Sequence, residues 1–174
     1  SLFRHGDLTR ALNDHETFSN AVSQHLSVPN GMDPPEHTAY RRLIEPYFAS
    51  ERIDAFEPTC RGIVADLVQN ALVAGEVELM ADFALPFAVR VQCAFLGWPP
   101  SLHEPMICWT IKKHDATLTQ DRQAMSEIAR DFERFIDDML ESRIQAGAKP
   151  EDDITAALMH EQVEGRPLSK EGMV

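Results

Sequence analysis

A histidine and an arginine four residues apart carry the clearest chemical signal in this chain. They fall within residues 33–42, Asp-Pro-Pro-Glu-His-Thr-Ala-Tyr-Arg-Arg. Asp33 can cap a helix, and Pro34 and Pro35 fix φ over a first turn whose N–H groups have no helical partner anyway. Glu36 stands three residues after Asp33, the spacing of a capping box. In a helix that starts here, His37 and Arg41 share one face. Two nitrogen donors stacked on one face, just inside a fixed helix start, suit a ligand that carries carboxylates. The competing reading is a capped surface helix whose histidine and arginine only meet water.

Other chemistries find less support. The seven histidines (5, 15, 25, 37, 103, 114 and 160) show neither HExxH nor His-x3-His spacing, which disfavours a zinc or di-iron bundle. There is no Gly-x-Ser-x-Gly elbow and no glycine-rich phosphate loop. Glu127 and Arg130 have ExxR spacing, but on a long helix they read as an i,i+3 ion pair on a wet face. The acidic clusters at 137–138 and 151–153 read as solvated helix and cap. Cys60, Cys93 and Cys108 lack C-x-x-C spacing, which fits buried thiols in a reducing compartment and points to the cytoplasm.

These residues must be positioned by helices. The 174 residues suffice for one domain with a core. Hydrophobic residues make up 44% and charged residues 25%, ordinary for a globular chain. A net charge of −12 and a pI near 4.9 leave no basic stripe for phosphates, so nucleic acid is not an expected partner. No apolar run approaches the ~18 residues that span a bilayer, so no membrane is expected either. The chain starts on Ser and not Met, as a trimmed or interior piece would.

Hydrophobic periodicity predicts helices over 8–13 and 34–48. A third is predicted from a Ser50 cap to Gly75, with its first turn split off by Pro58. Others follow over 85–96, 102–118, 121–146 and 153–160. Residues 18–32 read as loop and residues 76–80 as a short extended piece. Ser169 looks like the cap of a further helix. On the long helix, Met125, Ile128, Phe132, Phe135, Ile136, Met139 and Leu140 form the expected buried side.

With these elements in order, residues 33–42 closely resemble the start of the C helix of bacterial-type cytochrome P-450 monooxygenases. Residues 15–20 (HETFSN) are similar to the segment after the family's B helix, and 83–99 (FALPFAVRVQCAFLGWP) to its E helix. Residues 152–174 are similar to its H helix and the turn into the I helix. The resemblance implies an all-α, partial P-450 fold spanning roughly helices B to H, forming one partial domain over 1–174. It implies that His37 and Arg41 hold the haem propionates. It implies a parent enzyme that inserts one oxygen atom from O₂ into a small apolar substrate, with electrons from a ferredoxin-type donor that Arg42 could help to dock. The family's oxygen-activating I helix, its ExxR pair and its cysteine–glycine haem loop have no counterpart here. Cys60-Arg61-Gly62 has the Cys-x-Gly of that loop but lacks its upstream Phe and Gly, and Cys60 lies on an apolar helical face. The chain alone is therefore expected to be inactive. By the same resemblance Leu26, Val28, Met106 and Trp109 could line a pocket, although each reads more readily as core. The alternative is a non-enzymatic helical module acting through partner binding or as a homo-oligomer.

Overall fold

A computed structural model describes residues 3–22 and 28–168, so Leu26 and Ser169 lie outside the described residues. The chain divides into two compact units, Ser1–Phe48 with Met159–Val174, and Ala49–Leu158.

In the first unit, α1 covers His5–Asn13 and α2 covers Glu36–Ile44. The predicted 34–48 helix is thus shorter. Pro46 has no N–H to continue the α ladder, and Glu45–Phe48 tightens into a 3₁₀ turn. Tyr47 in that turn is buried, and its hydroxyl donates to Glu161 Oε1 at 2.7 Å. A small antiparallel hairpin follows, β1 (Gln162–Val163) paired with β2 (Arg166–Pro167). Glu164 and Gly165 both take positive φ, 52° and 76°, as a two-residue hairpin turn requires. The Leu168 N–H then donates to the Glu161 carbonyl at 3.0 Å, closing the hairpin at its base.

The second unit is a helical array. It contains α3 (Ser50–Ala74), α4 (Leu85–Leu96), α5 (His103–Thr119), α6 (Arg122–Ala146) and α7 (Ile154–Met159), whose last residue falls in the first unit. Helix α4 packs on both α3 and α5, and α5 packs on α6. The centre is Val89, Cys93 and Met106, surrounded by Leu85, Trp98, Leu102, Ile107, Trp109, Phe132 and Phe135. Trp109 lies 4.7 Å from Phe132 between ring centres, and its indole N–H donates to the Ile128 carbonyl at 2.9 Å. That bond removes the cost of burying a polar N–H. Phe56 of α3 meets Phe95 of α4 edge to face at 5.3 Å.

Several expectations need correction. Helix α3 runs unbroken through Pro58. Pro58 removes a single ladder bond, and turns on either side hold the helix. Ala49 occupies the cap position and Ser50 is already helical. The buried stripe of α3 is narrower than its periodicity suggested: Leu67 is buried, whereas Leu72 is 72% exposed. On α6, Ile128, Ile136, Met139 and Leu140 are buried as expected, but Met125 is exposed, one turn from the helix start. In place of the extended piece at 76–80, Leu79–Ala84 forms a π-helical turn that runs directly into α4. The resulting stretch Leu79–Leu96 is long and apolar enough to cross a membrane by length and composition alone. It carries Asp82 and Arg90, and its α4 portion packs on α3 and α5, which fits a helix of a helical array.

Candidate functional site

Helix α2 brings His37 and Arg41 together as their spacing requires. Four residues at ~100° each place the two side chains about 40° apart around the axis. Glu36, Ala39 and Tyr40 lie on another side of the helix. With Val163, Glu164, Arg166, Pro167 and Leu168 of the hairpin region they line a cleft of about 260 Å³. The hairpin thus occupies one side of α2 and leaves the His37–Arg41 flank to other contacts. His37 is half-buried and Arg41 exposed. The Arg41 guanidinium reaches Glu45 only at 3.9 Å, with both side chains more than half exposed. Such a pair contributes little and is easily displaced. Arg42, next along the chain, points about 100° away from Arg41 and is exposed.

The start of α2 is built differently from the capping box that the sequence suggested. The helix begins at Glu36, and its N-cap position, Pro35, makes no side-chain bond. The Asp33 carbonyl still accepts from His37 N–H at 3.0 Å. The Asp33 carboxylate, however, turns to the preceding segment. It accepts from Ser19 Oγ at 2.5 Å and from Asn20 N–H at 2.8 Å, while Ser19 Oγ accepts from Ala21 N–H at 3.0 Å. Sequence alone could not separate the two uses of Asp33, because a carboxylate satisfies a loop amide as readily as a helical one. The Asn20 amide and then the Ser19 hydroxyl hold the Asp33 carboxyl below the usual carboxylate range, with smaller contributions from His15 and His37.

The remaining candidates take structural roles. Cys60, Cys93 and Cys108 are free thiols on α3, α4 and α5, but of the three expected to be buried only Cys93 is: Cys60 is half-buried and Cys108 exposed, each on a helix face that its neighbours do not fully cover. Burial pushes the Cys93 thiol pKa up, away from a reactive thiolate. Glu127 and Arg130 do not pair with each other as expected: Glu127 accepts from Gln123, and Arg130 donates to Ser126. Met106 and Trp109 are packed in the core cluster, and Val28 is half-buried. No group of three or more His, Cys, Asp or Glu that could hold a metal occurs among the described residues.

One polar cluster was not foreseen. Arg143, near the end of α6, is 8% exposed. Its Nε donates to both Asp153 oxygens at 3.1 Å, and its Nη2 donates to the Gly97 carbonyl at 2.7 Å. Asp153 also accepts from Ala156 N–H at 2.7 Å, so it caps α7, as its acidic cluster suggested. Thr155 links Trp98 Nε1 and the Leu96 carbonyl. One guanidinium therefore joins the ends of α4 and α6 to the start of α7.

This helical order on this scaffold defines a class. Among solved structures, the chain matches the bottromycin biosynthetic protein SalCYP with a TM-score of 0.84 at 21% identity, over 99% of this chain and 44% of that one. It matches the ligand-free cytochrome P450 TbtJ1 with a TM-score of 0.82 at 28% identity, over 99% of this chain and 46% of that one. Among characterised sequences, it is 33% identical over 174 residues to the probable cytochrome P450 127A1 of Sinorhizobium fredii, covering 95% of this chain and 40% of the relative. It is 31% identical over 180 residues to the erythromycin C-12 hydroxylase of Saccharopolyspora erythraea, covering 98% of this chain and 45% of the relative. No family model matches the chain. These matches group the chain with bacterial cytochromes P-450, whose fold it carries in part, and it spans less than half the length of these relatives. The resemblance read from residues 33–42 is thereby borne out at the level of family and fold.

Proposed function

We propose that this chain is part of a haem-thiolate monooxygenase in which His37 and Arg41 bind the two haem propionates. The observation that carries this reading is the α2 flank itself. It presents a half-buried imidazole and an exposed guanidinium, about one helical turn apart, and among the described residues only a long contact to Glu45 competes for the guanidinium. When bound, haem supplies the iron that activates O₂ for insertion of one oxygen atom into a small apolar substrate. The part of this chain is to grip the carboxylates: the N–H donors of Arg41 and the ring N–H of His37 fix the position and tilt of the porphyrin edge. Exposed Arg42, turned away from Arg41, is suited to meet an acidic ferredoxin-type donor. The site of action would be the cytoplasm.

None of the three cysteines occupies a glycine-flanked loop, since all lie on helices. The chain alone is therefore inactive in this reading. Reduced, CO-treated haemin with the purified chain should give no thiolate-type Soret band. Propionate binding is tested separately by titrating dicyano-haemin and its dimethyl ester, which lacks the carboxylates. The free acid should bind more tightly than the ester. His37→Ala and Arg41→Ala should each weaken free-acid binding by roughly three- to tenfold, the scale of one hydrogen bond, and leave the ester unaffected. Equal binding of acid and ester would refute the site.

A further inference from the structure

The two residues proposed to hold carboxylates stand on a helix that cannot hold itself. Helix α2 has nine residues, and none of them is buried. A helix of that length is marginal in water on propensity alone, so its order must come from what it packs against. Within its own unit it packs on the Glu45–Phe48 turn that continues it and on β1 of the hairpin. Its Glu36, Ala39 and Tyr40 line the cleft against that hairpin. Three residues past the end of α2 comes a buried anchor, Tyr47. The Tyr47 hydroxyl donates to Glu161 Oε1 at 2.7 Å, across 114 residues of chain. Glu161 also closes the hairpin, because its carbonyl accepts from the N–H of buried Leu168. A single residue thus fixes the hairpin with its backbone and the anchor of α2 with its side chain.

We infer that Tyr47 and Glu161 are positioning residues for the His37–Arg41 pair: their hydrogen bond clamps the hairpin to the end of α2 and so pre-organises the two nitrogen donors for a dicarboxylate ligand. The inference deepens the proposed function and rests on it for the ligand. An ordered α2 presents both donors at once. A fraying α2 must be folded by the ligand as it binds, and affinity falls by that ordering cost. A ligand without carboxylates does not use the donors and is blind to the difference.

Two measurements on the 174-residue chain separate the parts. The first is amide hydrogen exchange. Tyr47→Phe and Glu161→Ala should each speed exchange at the amides of 40–44 about tenfold, the scale of a hydrogen bond to a charged acceptor. The double variant should do no more than either alone, since both remove the same bond. Glu161→Gln, which keeps an acceptor for the hydroxyl, should restore most of the protection. The amides of α4, in the other unit, should keep theirs throughout and report an intact fold. Unchanged exchange at 40–44, or additive effects in the double variant, would overturn the clamp. The second is titration with dicyano-haemin and its dimethyl ester. Tyr47→Phe and Glu161→Ala should weaken free-acid binding several-fold and leave the ester unaffected, with Glu161→Gln close to the starting affinity. A merely structural bond would leave the acid unchanged or weaken acid and ester alike, and either result refutes the positioning role. If His37→Ala and Arg41→Ala are both silent, the propionate reading fails, and exchange at 40–44 still decides the clamp.

Discussion

At the scale of single residues, polar groups with several simultaneous partners do most to specify this structure. Arg143 is buried and satisfied on each side, and removing one partner strands the other. Arg143→Ala should therefore cost on the order of 3 kcal/mol, read as a lower urea midpoint with an unchanged slope. Asp153 is partly exposed, so Asp153→Asn, which keeps the cap acceptor, should cost less than Arg143→Ala. Gly97 has φ +75°, and a Cβ there would run into the Asp153 side chain. Gly97→Ala should destabilise by the left-handed penalty of ~1 kcal/mol plus the displacement of Asp153 from Arg143. Asp33 supplies the pH dependence. Its carboxyl is depressed in the folded chain, so its contribution is present above the ordinary carboxylate range and is lost as pH falls through the depressed value. Exchange at Asn20 followed down the pH scale should thus stay slow past the point where a free aspartate protonates, then quicken. That His37 and Arg41 share a helix face was legible, because helix periodicity alone brings them together. Arg143 was not, because its partners lie 46 and 10 residues away along the chain. Spacing gives no hint of such pairings.

At the scale of elements, the long helices were read nearly to the residue. Leu85–Leu96 matches the predicted span, and α6 differs only in that Asp121 lies outside it as the cap. Asp121 accepts from Ala124 N–H at 3.0 Å, so Asp121→Ala should lower stability by about 1 kcal/mol with loss of protection confined to the first turn of α6. Misreadings cluster where local signals compete. At 76–84 a Glu-Val-Glu-Leu run looks extended, but Glu78 accepts from the Ala81 amide and Asp82 from the Glu78 amide, which turns the chain into the π segment. The hairpin was missed although Glu164-Gly165 is a recognisable turn pair, because flanking strands of two residues offer no alternation to detect. Gly165→Val puts a β-branched side chain at φ +76° and should unpair β1 from β2, seen as loss of protection at Leu168.

At the scale of the whole chain, the family and the helical fold were visible from residues 33–42 and the order of helices. The chain spans less than half the length of these relatives. Leu72, Val73, Leu79, Met80, Leu118 and Ile144 are all more than 60% exposed. Such side chains favour association. Sedimentation velocity at tens of micromolar should give a dimer or larger species, and a clean monomer would refute self-association through these residues. The Arg143–Asp153–Gly97 junction has a further consequence for tolerance to insertion. The six residues 147–152 must return Asp153 to a guanidinium one turn before the end of α6, so that connector has a fixed length. A single extra residue there would pull the carboxylate out of reach, whereas the linker at 75–78, which closes no such ring, should absorb one. Scanning both linkers with added glycines would reveal a ruler at one and slack at the other.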